Sequence, residues 1–220
     1  MASSMASELP VSVSSRIALV TGASRGVGAE VARHLAEPGT HVIVHCRQDS
    51  HQAQNVADDI VVAGGHASTA LADICDETAV ADMIHDIGRR FGRLDLLVLN
   101  ASTMCANRIA QRRLALLALP LMPAGGQIVF VTNNQAHFFP HKAVPKGYTS
   151  RAASMREGET TLQAMRSEFR RQGIEFTVVS GEILSGRRST SLDVAVAVTD
   201  AAQTHHAGIV YVRRPQLQSA

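Results

Sequence analysis

The feature that most constrains the fold is a short apolar run that breaks into closely spaced glycines. Residues 17–20 read Ile-Ala-Leu-Val, and the glycines that follow are Gly22, Gly26 and Gly28. A short, continuous apolar run is typical of a strand buried within a parallel sheet. An amphipathic pattern begins at Gly26 and predicts a helix directly after the turn. Backbone N–H groups at the start of such a helix bind a pyrophosphate, so this stretch predicts a dinucleotide site.

Strand and helix patterns alternate along the rest of the chain. The predicted strands span residues 16–20, 42–44, 67–71, 94–99, 127–131, 176–179 and 209–212. The predicted helices span residues 26–37, 52–63, 79–91, 107–119, 149–172 and 192–202. Such alternation predicts an α/β fold, a Rossmann-type three-layer doubly wound parallel sheet. No repeat or linker divides the chain, so we expect a flexible tail over residues 1–15 and a single domain over residues 16–215.

Composition and charge argue against several classes of partner. The chain has 220 residues, of which 45% are hydrophobic, and a formal net charge of +2. This weak charge does not favour nucleic acid, and no apolar segment has the length of a membrane span. The start of the chain lacks the pattern of a signal peptide, and the cysteines form no metal-ligand pattern. We therefore expect free thiols, no metal site, a cytoplasmic location, and neither nucleic acid nor membrane as a partner.

Three motifs in this framework resemble those of one enzyme family. The glycine loop reads Thr21-Gly22-x-x-x-Gly26-x-Gly28, Asn100-Ala101-Ser102 follows the fourth predicted strand, and Tyr148 precedes the longest predicted helix. Together they resemble the short-chain dehydrogenase/reductase family, and the likeness runs from about residue 16 to residue 212. The resemblance implies a nicotinamide cofactor, a small-molecule carbonyl or alcohol substrate, and a homodimer or homotetramer built on the helices that begin at Asn107 and Thr149.

The resemblance also assigns cofactor contacts. Asn100-Ala101-Ser102 is similar to the family's Asn-Ala-Gly turn beside the cofactor, and Asp73-Ile74 to the acidic-apolar pair that contacts the adenine. Ser180-Gly181 through Ser185 is similar to the segment that meets the nicotinamide, with its proline lost. The implied contacts in the glycine loop are Gly22, Ser24, Arg25, Gly26, Val27 and Gly28.

The second predicted strand favours NADP over NAD. An NAD site places a carboxylate after this strand to bind the ribose 2′-hydroxyl. Here the strand ends in His45, Cys46 and Arg47, without an acid. Arg47 and Arg25 carry guanidinium groups that suit a 2′-phosphate, because planar guanidinium donors pair bidentately with phosphate oxygens. The alternative is that Asp49 contacts the ribose and both arginines face water.

The catalytic positions depart from the family pattern. The resemblance makes Tyr148 the acid–base residue, and the family expects a lysine four residues later, where this chain has Ala152. Met155 occupies the next position where that lysine could stand. Asn133 lies where the family has the serine that holds the substrate oxygen. Asn107 matches the family's supporting asparagine, although a helix N-cap would explain it equally well.

Two short connections predict an open active site. Only six residues separate Asn100 from Asn107, and a single short helix fills the interval from Val179 to Ile209, where the family builds its substrate lid. Short segments cannot enclose a substrate.

His137 and His141 are expected to be surface groups rather than metal ligands, since no acid or cysteine stands near them in the sequence.

Two hypotheses about activity remain open on the sequence alone. The first is an NADP(H)-dependent reductase or dehydrogenase in which Tyr148 protonates the substrate oxygen and Asn133 orients it. The second is a catalytically impaired dinucleotide-binding protein with a regulatory or structural role. The intact nucleotide half supports the first hypothesis, and the altered catalytic residues support the second.

Overall fold

The computed structural model describes residues 16–101, 107–182, 188–204 and 207–212. The predictions for the tail over residues 1–15, for Ser102 and for Ser185 lie outside these ranges. The strands are β1 (Arg16–Val20), β2 (Thr40–Cys46), β3 (His66–Leu71), β4 (Leu96–Leu99), β5 (Gln127–Asn133), β6 (Glu175–Gly181) and β7 (Gly208–Tyr211). The helices are α1 (Gly26–Leu35), α2 (Ser50–Val62), α3 (Glu77–Phe91), α4 (Asn107–Ala118), α5 (Asn134–His137), α6 (Thr149–Ala164), α7 (Arg166–Arg171) and α8 (Arg188–Gln203).

The strands form one seven-stranded sheet in the order β3-β2-β1-β4-β5-β6-β7. Every neighbouring pair is parallel, and β1 pairs with both β2 and β4. After β3 at one edge, the chain returns to the centre to add β4 on the other side of β1. In doubly wound sheets the crevice at the carboxyl ends of these two central strands is where ligands bind. The predicted fold class is confirmed.

The five central strands are buried on both faces, which explains their continuous apolar runs, whereas the edge strands β3 and β7 are partly exposed. Alternate residues of β1 belong to different clusters, with Leu19 in one and Val20 in the other. The first cluster lies under α3, α4 and α6 and includes Leu114 and Leu162. The second lies under α1, α2 and α8 and includes Val31. Helices therefore cover both faces of the sheet, as the predicted three layers require.

Two helical predictions need correction. The helix predicted over residues 149–172 is interrupted at Met165, whose N–H bonds to the carbonyl of Leu162. This bond reaches back three residues instead of four, so the helix tightens and ends before α7 begins. No glycine or proline marks the break in the sequence. The short helix α5 was not predicted, and the side chain of Asn133 caps it by accepting a bond from the N–H of Ala136 at 2.9 Å.

The expectation of free thiols is wrong for one of the cysteines. Cys46 is a free thiol, and burial raises its pKa, which lowers its reactivity. Cys75 instead takes part in a disulfide. As for membranes, none of the helices within the described ranges combines the length and the apolar character needed to cross a bilayer.

Candidate cofactor and active site

The glycine loop is fastened to the end of β4 by two side chains. The Thr21 hydroxyl donates to the carbonyl of Val98 at 3.1 Å and accepts from the backbone N–H groups of Asn100 and Ala101. The Asn100 amide in turn donates to the carbonyls of Thr21 and Gly22, at 3.0 and 3.2 Å. The predicted motifs around Gly22 and Asn100 therefore meet at the crevice between β1 and β4.

Close packing inside the loop accounts for two of its glycines. Gly22 has a φ of 64°, a conformation that side chains other than glycine adopt only with strain. A Cβ atom on Gly28 would lie 2.5 Å from the amide nitrogen of Asn100 and closer still to the carbonyl oxygen of Gly22. The start of α1 can therefore approach the loop only because residue 28 carries no side chain. Because α1 packs this closely against the loop, the N–H groups at its start can face a ligand in the crevice.

A buried histidine supports the loop from β2, a role that the sequence did not reveal. The Nδ1 atom of His45 accepts from the N–H of Gly22 at 3.2 Å, and its Nε2 atom lies 2.9 Å from the carbonyl oxygen of Ala72. The ring must therefore carry its proton on Nε2 and donate it to Ala72. Burial lowers the pKa of His45, which outweighs the opposing effects of the Ala72 bond and of Asp73. The neutral ring thus connects the glycine loop to the end of β3.

The groups proposed to select the cofactor lie at the rim of this crevice. Arg25 and Arg47 are both exposed, one before α1 and one directly after β2. Neither guanidinium forms an ion pair with any residue in the described part of the chain. Asp49 instead caps α2, because its carboxylate accepts from the N–H of Gln52 at 3.1 Å. The alternative role of Asp49 at the ribose would compete with this cap.

The remaining predicted cofactor residues follow β3 and β4. Asp73 accepts a hydrogen bond from the N–H of Cys75 at 2.9 Å, and Ile74 packs into the core under α3. Ala101 is held by a residue that the sequence did not single out, since the buried amide of Gln111 donates to its carbonyl at 2.8 Å. Gln111 thereby ties α4 to the turn after β4. Val27, at the start of α1, packs against the core on the opposite face.

Tyr148 and Asn133 are brought together, as the resemblance implied. The Asn133 amide nitrogen donates to the Tyr148 hydroxyl at 2.6 Å. The Met155 sulfur lies 3.7 Å from both that hydroxyl and that nitrogen. Because the Asn133 side-chain oxygen already caps α5, its amide orientation is fixed with the nitrogen facing the phenol. Met155 therefore occupies the space next to the phenol from which a cation could act on it.

No lysine takes the vacant role. The lysines of the chain are Lys142 and Lys146. Lys142 places its ammonium 5.9 Å from the centre of the Phe138 ring, and Lys146 is exposed. Ala152 is fully buried and packs with Met155. Asn107 is the first residue of α4, as predicted, but its side chain lies outside the described atoms.

The surface prediction for the histidine pair is only half right. His141 is exposed, whereas His137 is buried in α5, with 6% of its surface accessible. The reason is a contact that the sequence hides: Nδ1 of His137 lies 2.8 Å from a carboxylate oxygen of Glu159 on α6. Glu159 is itself fully buried. A carboxylate is costly to bury without a polar partner, and α5 places the imidazole of His137 where it can serve as one.

Comparison with known proteins gives a family match over most of the chain. The sequence model of the family described as short chain dehydrogenase matches residues 16–190. Among curated proteins, the hydroxynaphthalene reductase-like protein Arp2 of Metarhizium robertsii is 38% identical over 96 residues. That stretch is 44% of this chain and 36% of the relative, so the match spans about a third of the relative's length.

Solved structures extend the likeness over the whole fold. A metagenomic short-chain oxidoreductase in complex with NADP superposes with a TM-score of 0.78 at 25% identity, covering 93% of this chain and 100% of that one. The landomycin C-6 ketoreductase LanV with bound NADP and rabelomycin gives a TM-score of 0.79 at 22% identity, covering 94% and 98%. At such identities the second likeness concerns the fold alone.

Proposed function

This chain belongs to the short-chain dehydrogenase family, and from that premise we propose that it is an NADP(H)-dependent oxidoreductase. The reaction would interconvert a carbonyl and an alcohol on a small molecule. The observation that carries the proposal is the fastened glycine loop at the crevice between β1 and β4, where Gly28 must lack a side chain. This cradle fits a dinucleotide phosphate at the start of α1.

The preference for NADP(H) rests on the rim of the crevice. Arg25 and Arg47 are exposed and carry no ion pair within the described ranges, while Asp49, the first acid in the sequence after β2, is engaged in capping α2. Two guanidinium groups without an acid suit a 2′-phosphate better than a 2′-hydroxyl. The metagenomic oxidoreductase described above was crystallised with NADP, which agrees with this preference.

Tyr148 and Asn133, near the carboxyl end of β5, would carry out the proton transfer. Bound NADPH would supply the hydride. Tyr148 would donate its phenolic proton to the substrate oxygen as negative charge develops there. Asn133 would then stabilise the resulting phenolate, because its amide nitrogen already donates to the phenol oxygen at 2.6 Å. Met155 brings no charge to this site, so we expect turnover to be slow.

We propose that the chain is a homodimer or homotetramer, with α4 and α6 at the interface. The exposed face of these helices includes an open groove lined by Ile109, Leu116 and Leu117. Ile109 keeps 51% of its surface exposed, and its grouping with Leu116 and Leu117 along one groove is what favours an interaction surface. Light scattering coupled to size-exclusion chromatography tests this, and Ile109→Glu should shift the mass toward the monomer.

The main experiment separates binding from chemistry. The protein is titrated with NADPH and followed by nicotinamide fluorescence, and small ketones, including polycyclic ones, are then added while the nicotinamide absorbance is recorded. Saturable binding followed by ketone-dependent consumption supports the proposal. Binding without consumption of any ketone would contradict the proposed activity, and the absence of binding would contradict the cofactor assignment as well. Gly28→Ala serves as the control that removes the cradle.

A further inference from the structure

A polar cluster with a buried centre lies beside the Tyr148 site, where α5, α6 and β7 meet, and the proposed reaction does not use it. Its members are His137, Arg156, Glu159 and Tyr211. The Glu159 side chain has no exposed surface, and that of His137 has 7%. Buried ionisable groups are costly unless they are paired, so their retention calls for a specific reason.

The His137 imidazole contacts the Glu159 carboxylate on one side and the Tyr211 phenol on the other. One oxygen of Glu159 lies 2.8 Å from Nδ1 of His137 and 2.9 Å from a guanidinium nitrogen of Arg156. On the other side of the imidazole, Nε2 lies 3.0 Å from the Tyr211 hydroxyl. With its proton on Nδ1, facing the carboxylate, the ring presents Nε2 as the acceptor for the phenol.

The carboxylate retains capacity for a charged imidazole. Its second oxygen is buried and accepts no hydrogen bond from the residues that the structure describes, and the ring N–H of His137 is not aligned closely on the first. A free acceptor beside the ring would stabilise the imidazolium that forms when Nε2 takes up a proton. Arg156 donates to the first oxygen at 2.9 Å and offers no proton acceptor of its own.

The phenol lies at the same edge of the sheet as the candidate active site. Tyr211 is in register with Ser180 on β6, and Ser180 with Thr132 on β5. Asn133, the partner of Tyr148, is the next residue on β5. Tyr211 is 43% exposed, and its ring stacks parallel to that of Phe138 at a centroid distance of 5.9 Å. The Tyr211 ring is therefore held in place at this edge of the sheet, with part of its surface open to solvent.

We propose that Tyr211 is a second acid–base phenol, activated by His137 and Glu159, which exchanges a proton with an oxygen of the substrate. This role rests on the proposed oxidoreductase function. In alcohol oxidation the substrate O–H bond breaks and its proton passes to the Tyr211 oxygen, while the phenolic proton moves to Nε2 of His137. The imidazolium then faces Glu159. In carbonyl reduction the same transfers run in reverse, and Tyr211 delivers the one proton that the substrate oxygen takes up, in place of Tyr148. The hydroxyl, base and orienting acid follow the arrangement by which activated hydroxyls are recognised on unrelated folds.

The first test does not need turnover. The chain contains two tyrosines, Tyr148 and Tyr211, so Tyr148→Phe leaves Tyr211 as the one phenol for acetylation by N-acetylimidazole. The phenol oxygen forms the new bond to the acetyl carbon as the acetyl–imidazole bond breaks. The phenolic proton goes to His137, and the departing imidazole takes up a proton from water. In that background His137→Gln keeps a hydrogen-bond acceptor but removes the base, and we expect acetylation to slow by about fivefold or more.

Controls distinguish a relay from a structural clasp. Tyr148 acetylation, measured in Tyr211→Phe, should not respond to His137→Gln. Glu159→Gln should slow Tyr211 acetylation with little change in the thermal midpoint. An acetylation rate of Tyr211 that is unchanged by His137→Gln would overturn the proposal, whatever the outcome with NADPH.

The second test concerns the reaction itself. With a ketone that the protein reduces, Tyr211→Phe should lower kcat about tenfold, leave KM and NADPH affinity nearly unchanged, and alter the pH profile. A variant that turns over at the wild-type rate with the wild-type pH profile would exclude Tyr211 from the chemistry. If the protein binds no NADPH or reduces no ketone, the proposed function fails, and the acetylation result still decides whether the relay exists.

Discussion

The Tyr148 hydroxyl lies 3.7 Å from the sulfur of Met155, one α6 turn beyond Ala152. A neutral thioether at this distance neither stabilises a phenolate nor carries a proton. The contact identifies residue 155 as the position from which a cation would act on the phenol. The sequence alone left Ala152 and Met155 as equal candidates.

We predict that Met155→Lys raises ketone-dependent NADPH consumption about tenfold or more, because an ammonium beside Tyr148 stabilises its ionised form. The effect should be larger when Asn133→Ser is added, since serine can still cap α5 and places a hydroxyl at the same site. Initial rates under saturating NADPH provide the measurement.

Met155→Leu is the matched control, since it keeps an apolar side chain of similar volume and should leave the rate unchanged. Thermal midpoints must accompany the rates, because residue 155 is only 5% exposed and a lysine there loses hydration. If Met155→Lys folds with a wild-type midpoint but shows no gain in rate, Tyr148 is not the proton donor.

Local patterns in the sequence were sufficient for the sheet and the glycine loop. The central strands are buried on both faces, so they appear in the sequence as continuous apolar runs. Residue 28 has no room for a side chain, so the loop appears as closely spaced glycines. The pairing of Tyr148 with Asn133 was reached through the family resemblance. The two residues belong to different elements, so no helix or strand period in the sequence links them.

Contacts between distant segments were not predictable in this way. His45 supports the loop only because strand register places its ring between Gly22 and Ala72. His137 meets Glu159 only through α5, which is four residues long and too short to show a helical period. The interruption at Met165 likewise has no glycine or proline to announce it.

The arginines at the rim of the crevice give a test of cofactor choice. Arg25→Ala and Arg47→Ala should each weaken NADPH binding about tenfold, as expected for the loss of a hydrogen bond between charged groups. NADH affinity should change by less than about twofold, because the 2′-phosphate is absent there. Fluorescence titration with both coenzymes measures the four constants.

Arg33→Ala is the control for this pair, since Arg33 is engaged with Asp59 at 2.8 Å on the outer surface of α1. It should alter neither affinity. Equal losses for NADPH and NADH in the Arg25 and Arg47 variants would show that these side chains do not recognise the 2′-phosphate.

The buried histidine predicts a pH dependence of stability. The folded state lowers the pKa of His45 below the ordinary 6.5, so above that pH the ring is neutral in both states and the folded form is fully favoured. As the pH falls below 6.5, the unfolded chain takes up a proton that the folded chain does not. The free energy of unfolding from this group should then fall by about 1.4 kcal/mol per pH unit until the folded pKa is reached.

Urea unfolding at about pH 7.5 and about pH 5.5 measures this change. Other groups also titrate in the range, so the comparison is with His45→Gln, whose amide can accept from Gly22 and donate to Ala72 without titrating. The wild type should lose more stability than this variant over the interval. Parallel slopes for the two proteins would mean that the folded chain protonates Nδ1 of His45 as readily as the unfolded chain does, against the bond from Gly22.

Gly28→Ala should abolish NADPH binding while the matched Gly88→Ala leaves it intact. A methyl group on Gly28 would approach the Asn100 amide at 2.5 Å and the backbone of the loop more closely, and backbone cannot move aside as a flexible side chain can. Overpacking of this kind costs about 1–3 kcal/mol, which would lower the thermal midpoint and displace the loop from its cradle shape.

At Gly88, within α3, the same methyl group meets only the side chain of Leu121 at 3.1 Å, and alanine favours the helix. Calorimetric titration of both variants with NADPH, beside their melting curves, checks the contrast. Wild-type affinity in Gly28→Ala would show that the close approach of α1 to the loop does not form the phosphate cradle.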